Sequence, residues 1–197
     1  MTSSAQGVGD VPATVIYPVR WVLSSGGRPR KYIVLRRHAR PLEPDEIGTL
    51  RIQQLIDDMF ETMRDSEGIG LAGPQVYENL RLFVAGVDDE ERMMPPMAMI
   101  NPEVTPIGSD VEEDWEGCLS IPDIRGRVSR ATDIKVRALD RHGKPISMTA
   151  DGFPARVIQH EVDHLDGVLF FDRMTSFESL TFLEEYSRYW SKSGEDQ

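Results

Sequence analysis

The stretch QHEVDHLDG, Gln159–Gly167, holds two of the chain's four histidines and three carboxylates within nine residues. Such a run is either a solvated turn of helix or the floor of a metal site, and the choice governs how the chain folds around it. His160 and His164 are four residues apart. On a helix their side chains lie one above the other on one face and can reach a single ion. Glu161 follows at about 100° round the helix, beside such an ion without having to ligate it. An H-E-x-x-H arrangement is one solution for a metal-activated water with an adjacent general base. The five letters alone do not separate this reading from a solvated helix. The flanks do. Val157, Ile158, Glu161, Val162 and Leu165 recur by three and four, which predicts a buried helix over residues 153–165. Buried imidazoles and a buried carboxylate need partners or a metal, because unpaired buried polar groups are costly. Asp166 is expected to face water. Asp163 is open between a supporting hydrogen-bond acceptor and a second solvated carboxylate.

Two histidines do not complete a site; three protein ligands plus a water would leave a catalytic position open. The candidates are His38, His142, a carboxylate and Cys118. His142 falls in an expected turn over 141–143 and is expected to be exposed, and His38 sits in a basic segment with no clear geometry. Cys118 lies in EGCLS, residues 116–120, after an acidic, strand-like run over 110–116, and Gly117 permits close backbone approach. A thiolate suits Fe(II), Co(II), Ni(II) or Zn(II). It is also the chain's single cysteine, which excludes an intrachain disulfide and suits a reducing compartment. A lone cysteine reads first as a small buried hydrophobe, and only the fold can bring this one to His160.

The rest of the chain reads as α+β: mostly antiparallel strands around the buried helix, with an N-terminal and a C-terminal helix. Residues 45–65 place Ile52, Leu55, Ile56, Met59 and Met63 on one helical face, best read as core, with Asp45 and Glu46 favouring the start. GIGLAGPQ, residues 68–75, has too much glycine and proline for a comfortable helix. Strands are expected at 80–87, 97–104, 133–140 and 144–152, and a last helix at 177–190. SSGGRPR, residues 24–30, reads as a loop.

A length of 197 residues fits one domain, residues 1–197, with residues 1–15 flexible and 16–30 atypical. No apolar run approaches the roughly 20 residues that span a bilayer. The N-terminal residues lack both the basic start and the apolar core of a secretory signal. A cytoplasmic location is expected, with an organelle-targeting remnant as the alternative. The net charge of −11 argues against DNA binding, which needs a basic surface. Charge is uneven: Arg20, Arg28, Arg30, Lys31, Arg36, Arg37 and Arg40 crowd the first forty residues, while 88–91 and 110–116 are acidic. Both runs are read as solvated surface.

Taken together, GIGLAGPQ (68–75), EGCLS (116–120) and QHEVDH (159–164) resemble, in order and spacing, the three signature motifs of peptide deformylases, over about residues 40–170. The resemblance implies one divalent metal ion held by Cys118, His160 and His164 with a water as fourth ligand. The ion would natively be Fe(II), with Zn(II), Ni(II) or Co(II) able to occupy the site. Glu161 would be the general base and later the proton donor to the leaving amine. The Gln75 amide and the Leu119 backbone N–H would stabilise the oxyanion. The implied substrates are N-formylmethionyl nascent peptides and the products formate and a free amine. Independently of the resemblance, a formamide is a weak electrophile, for which an activated water and preorganised donors are fitting chemistry. Gly70 and Gly117 would let a substrate backbone approach, as in strand addition. Ile69, Phe153 and Val157 are candidates for a methionine pocket, with ordinary core packing as an equal reading.

Two features depart from the pattern. Gly73 stands where the family commonly has alanine, a change expected to do little damage, and the segment from Ile16 to Arg30 is atypical. The ribosome is a candidate partner. The acidic tail, with Glu178, Glu184 and Glu185, does not suit docking by a basic C-terminus, and the Arg-rich N-terminal segment is the substitute. The competing readings are an H-E-x-x-H peptidase cleaving internal bonds, a non-catalytic metal-stabilised binding protein, and a deformylase-like enzyme for another N-acyl group. The first leaves EGCLS and GIGLAGPQ unexplained. The second predicts bound metal without dependence on Glu161.

Overall fold

The computed structural model describes residues 14–17, 35–86 and 94–191. The loop expected at 24–30, the acidic turn at 88–91, and most of the 1–15 and 16–30 segments lie outside these residues.

The architecture turns on four residues, Leu82–Ala85, which form a strand buried at every position. Successive side chains on a strand point to opposite faces. Leu82 and Val84 join one apolar cluster, and Phe83 and Ala85 join another. The sheet containing this strand therefore has a packed layer on each face.

The first layer is the predicted N-terminal helix. It is interrupted once: a single turn, α1 (Pro44–Ile47), ends at Gly48, and α2 (Leu50–Asp65) restarts after Thr49. Thr49 is extended, and its hydroxyl accepts from the Ile52 N–H, so it caps the second segment. Ile52, Leu55, Ile56, Met59 and Met63 are all buried, as their spacing requires. They pack against Leu82, Val84 and Ile100.

The second layer is α3 (Gly152–Leu165), which carries Gln159 to Leu165 of the opening stretch. Ala155, Val157, Ile158 and Leu165 pack against Phe83, Met99, Ile134 and Val136. Gly167 stops this helix. It has φ 74°, and its neighbour's N–H, on Val168, returns to the Asp163 carbonyl at 2.8 Å. A Cβ at Gly167 would lie 2.7 Å from the Arg36 backbone, so glycine is required twice over.

The strands are β1 (Gly70–Ala72), β2 (Leu82–Ala85), β3 (Met97–Pro106), β4 (Val111–Cys118), β5 (Ile121–Ala131), β6 (Asp133–Leu139), β7 (Pro145–Asp151) and β8 (Thr181–Phe182). They form a five-stranded sheet in the order β1-β2-β3-β6-β7 and a three-stranded sheet in the order β4-β5-β8. All strand pairs are antiparallel. The α3 helix packs against strands of both sheets. The α+β class with mostly antiparallel strands is as expected, and the strands expected at 80–87, 97–104, 133–140 and 144–152 are present within a few residues.

Several readings need correction. The last helix was expected over 177–190. Residues Thr181–Phe182 instead form β8, paired to Arg125 and Ile124, and only Leu183–Tyr189 is helical, as α5. An edge of β5 is available there, and the Ser179 hydroxyl accepts the Arg127 N–H just before it. A one-turn helix, α4 (Phe170–Arg173), precedes this region. GIGLAGPQ resolves into β1 and a 3-10 turn over Gly73–Val76. A Cβ at Gly73 would lie 2.9 Å from the Glu78 and Leu80 carbonyl oxygens, so glycine and alanine are not interchangeable in this turn. The acidic run 110–116 is not all solvated, because Glu116 is buried. Asp166 does not simply face water: it pairs with Arg81 at 2.6 Å. Among the described residues no helix is long and apolar enough to cross a membrane.

Candidate active site

Two edge strands and one helix meet at the site. β1 is the edge of the larger sheet and β4 the edge of the smaller. α3 packs against β1 and β5. Between them opens a cleft of about 840 Å3, lined by residues of all three motifs: Ile69, Gly70 and Gln75; Gly117, Cys118 and Leu119; and His160 and Glu161, with Phe153 and Val157 from the start of α3.

Cys118 ends β4, and the fold brings it to α3. One ligand atom from each of Cys118, His160 and His164 falls within 4.8 Å of the others. The Cys118 Sγ lies 3.2 Å from His164 Nε2. The imidazoles stand edge to face with centroids 4.9 Å apart. Of the other ligand candidates, His142 is exposed in its turn, and the His38 side chain is 82% exposed beside Asp166; neither belongs to the cluster.

The electrostatics fit a cation. Burial alone would raise the Cys118 thiol, but His164 and His160 outweigh it and hold the thiol well below its usual range. Burial disfavours a charged His160, yet Cys118 and Glu116 hold its imidazole well above the usual value. Cys118 is thus poised as a thiolate, the form that binds metal. Among the described residues, buried His164 Nδ1 and Glu161 Oε2 have no hydrogen-bond partner. Soft sulfur, two imidazoles and an adjacent unpaired carboxylate form a donor set suited to a divalent transition metal.

Glu161 is 4% exposed. Burial pushes its carboxyl up to about 7, opposed by His160 and His164. That value suits a group that takes and returns a proton near neutrality. Gly70 stands against it. A Cβ at Gly70 would overlap the Glu161 carboxylate, so this glycine makes room for the base as well as bordering the cleft. Gly117 is covered by the Arg125 guanidinium, which occupies the space a side chain would need.

Gln75 is buried and its amide is oriented. Its Oε1 accepts from the Ala72 N–H at 2.8 Å, so its NH2 turns toward the site, 3.2 Å from Ser120 Oγ and 3.8 Å from Cys118 Sγ. Leu119 continues the cleft wall after Cys118. Ile69 and Phe153 are half-buried and Val157 is buried, and all three pack against the main core while also lining the cleft. Core packing and cleft lining thus coexist in these residues.

Apart from Asp163, which it held open as a supporting acceptor, sequence reading missed the layer behind the Cys/His/His cluster. Glu116 accepts from His160 Nδ1 at 2.9 Å, from Arg130 at 2.9 and 3.0 Å, and from Arg156 at 2.9 Å. Burial alone would raise the Glu116 carboxyl, but His160 and Arg130 hold it far below the usual range. Asp163 is buried and accepts from Arg130 at 2.5 Å and Arg173 at 2.6 Å, which makes it a supporting acceptor. One signal was available. On β5, Val128 and Arg130 share the buried phase of the alternation, and an arginine in a buried phase must be ion-paired.

The comparisons with known proteins agree with this geometry. The family model described as polypeptide deformylase matches residues 21–179. Peptide deformylase 2 of Pseudomonas putida is 46% identical over 155 residues, covering 76% of this chain and 87% of the relative. A peptide deformylase of Chromohalobacter salexigens is 47% identical over 141 residues, covering 72% and 80%. The structure of a class I type b peptide deformylase from Acinetobacter baumannii with Met-Ala-Ser bound superposes with TM-score 0.73 at 36% identity, over 82% of this chain and 100% of that one. That from Thermotoga maritima gives 0.69 at 38%, over 82% and 99%. With its three motifs converging on one cleft and relatives matched over most of their length, the chain belongs to the peptide deformylase family.

Proposed function

We propose that, within a single catalytic domain, Cys118, His160 and His164 hold one divalent metal ion and Glu161 moves the protons as the chain removes the formyl group from N-formylmethionyl peptides. Deformylases are enzymes that remove this group from nascent peptides, and the family is metal-dependent. The observation that carries the assignment of roles is the placement of the base: a buried, unpaired Glu161 beside the Cys/His/His cluster, facing a cleft that also holds the Gln75 amide.

When bound, the metal polarises a carbonyl oxygen and lowers the pKa of water. We assign Fe(II) as the native ion, with Zn(II), Ni(II) and Co(II) as ions the same donors accept. Glu161 takes a proton from the attacking water as the new C–O bond forms at the formyl carbon. It returns that proton to the methionine nitrogen as the C–N bond breaks, giving a free amine and formic acid, which loses its own proton to become formate. The Gln75 NH2 and the Leu119 backbone N–H stabilise the negative charge on the formyl oxygen. The tie from Gln75 Oε1 to Ala72 supports this role, because it fixes the donor before charge develops.

The substrate backbone lies between the exposed edges of β1 and β4, adding a strand to one or both. Ile69, Phe153 and Val157 take the methionine side chain, and Gly70 and Gly117 border the backbone. The reaction belongs in the cytoplasm, where the lone thiol stays reduced. Ribosome docking through the basic N-terminal segment rests on Arg20, Arg28, Arg30, Lys31 and Arg37, since Arg36 and Arg40 are paired with Asp172 and Glu46. A salt-dependent ribosome-pelleting assay with those five neutralised tests it; unchanged pelleting removes the idea.

The test of the function is formate release from a short formyl-methionyl peptide by protein loaded, without oxygen, with Fe(II), Ni(II) or Co(II). Release is expected. Folded, metal-loaded protein that releases none from formyl-methionyl peptides would overturn the reading.

A further inference from the structure

Asp58 and Thr62 of α2 are polar, yet they are only 2% and 0% exposed. Each receives the backbone of the N-terminal segment. The Val15 N–H donates to Asp58 Oδ1 at 2.9 Å, and the Tyr17 N–H donates to Thr62 Oγ1 at 3.0 Å. The two acceptors are four residues apart on the helix, a rise of about 6 Å. The two donors belong to alternate residues, about 6.6 Å apart in an extended chain. The helix thus offers acceptors at the repeat of an extended backbone. Both acceptors are themselves held in place. Gln54 donates to Asp58 Oδ1 at 2.8 Å, and the Thr62 hydroxyl donates to the Asp58 carbonyl at 2.7 Å. Tyr17 also packs against the apolar cluster that includes the inner face of α2.

This seat leads directly into the reaction cleft. The Thr62 carbonyl accepts from the Ser66 N–H at 3.0 Å, and the Met63 carbonyl accepts from the Gly68 N–H at 2.8 Å. Ser66 to Gly70 then line the cleft. Within this run Glu67 has φ 53°, a conformation that L side chains rarely adopt, so the turn keeps its shape only where its surroundings hold it. Its glycines touch the site itself: Leu119 fills the space a Cβ at Gly68 would need, and Glu161 fills it at Gly70. A shift in the last turn of α2 therefore moves the wall that borders the base. The apolar contacts of Ile52, Leu55, Ile56, Met59 and Met63 keep α2 on the sheet without the N-terminal segment. A polar seat is hydrated when vacated, so lifting of residues 14–17 is a local event and not global unfolding.

We propose that residues 14–17 are a strap that positions the 66–70 wall of the cleft, with Asp58 and Thr62 as the positioning residues that hold it. The kinetic part of this inference rests on the deformylase reading of that cleft.

The test measures the kinetics of the metal-loaded full chain with formyl-Met-Ala-Ser amide, and hydrogen exchange at residues 66–70. Val15→Pro removes one donor of the strap and leaves α2 untouched. It should raise KM about 3-fold, the scale of one lost hydrogen bond, and change kcat by less than about 2-fold. Exchange at 66–70 should quicken by about the same factor. Thr62→Val should act likewise, whereas Thr62→Ser, which keeps the hydroxyl, should match the wild type. Val15→Pro combined with Thr62→Val should add little to either alone, because both release the same strap. A merely structural contact would lower the urea midpoint and leave KM and the exchange of 66–70 at wild-type values. That result in folded Val15→Pro protein overturns the proposal. No formate from the wild type, with metal bound, removes the deformylase reading instead, and exchange at 66–70 then decides the strap by itself.

Discussion

His160 Nδ1 lies 2.9 Å from a Glu116 carboxylate oxygen, although 44 residues separate them in the chain. This contact fixes the imidazole so that Nε2 faces the Cys118 side of the site. Arg130 grips both oxygens of Glu116 and reaches Asp163 with its third nitrogen. Asp163 is on the same helix as His160, so the network ties α3 to the β4–β5 hairpin on both sides of that histidine.

Glu116→Ala is expected to lower metal affinity by about 10–100-fold, because in the proposed metal site the carboxylate orients the His160 imidazole and raises its basicity. It also removes the ion-pair partner of buried Arg156 and leaves Arg130 with Asp163 alone, for a loss of about 3–5 kcal/mol in stability. Chelator competition and urea unfolding measure the two effects. Metal affinity equal to wild type in a folded variant would remove the orienting role.

Glu161→Ala should retain one metal per chain and lose about 10²–10⁴-fold in kcat. Cys118→Ala and His164→Ala should lose the metal as well. Metal content by elemental analysis, set beside formate release, separates the two behaviours. An active Glu161→Ala protein would refute the assignment of the base.

Gln75→Ala should lower kcat by about 10²–10³-fold with a much smaller change in KM, because a preorganised donor acts where charge develops. A loss confined to KM would place Gln75 in ground-state binding instead.

Burial raises the Glu161 carboxyl from its ordinary 4.5 to about 7. In metal-free protein the folded state then holds more protons than the unfolded chain between those values. The contribution of this group to stability therefore declines as pH rises through that window. Urea midpoints of wild type and Glu161→Gln across it should diverge in that sense. A difference that stays flat with pH would contradict the shift.

Two aspartates near the end of α3 should behave differently. Asp163 is buried with Arg130 and Arg173, and Asp163→Ala removes one of the two carboxylates that hold the buried Arg130 guanidinium, costing about 1.5–3 kcal/mol. Asp166 pairs with Arg81 nearer the surface, and Asp166→Ala should cost about 1 kcal/mol or less. Equal losses would mean that burial does not govern these pairs.

Much of this was legible in the chain itself. The three-and-four spacing of Val157, Ile158, Glu161 and Leu165 fixes a helix with a buried face, because the period of a helix is local. The apolar face of α2 and the strands at 80–87, 97–104, 133–140 and 144–152 were readable because their periods are local as well. The pairing of two histidines on one helical face needed only the rise and turn of a helix. The last helix misled because β8 exists only where β5 offers an edge to Thr181 and Phe182. Tertiary structure alone placed Cys118 beside the two histidines and built their surroundings. Cys118 is 46 residues from His164, and no local period links them. Glu116, Arg130 and Arg156 look like surface charges in sequence, yet with Asp163 they form one buried network because β4, β5 and α3 close on each other there. Periodicity is written in neighbouring residues, whereas burial and charge pairing belong to surfaces that exist only after the chain has folded.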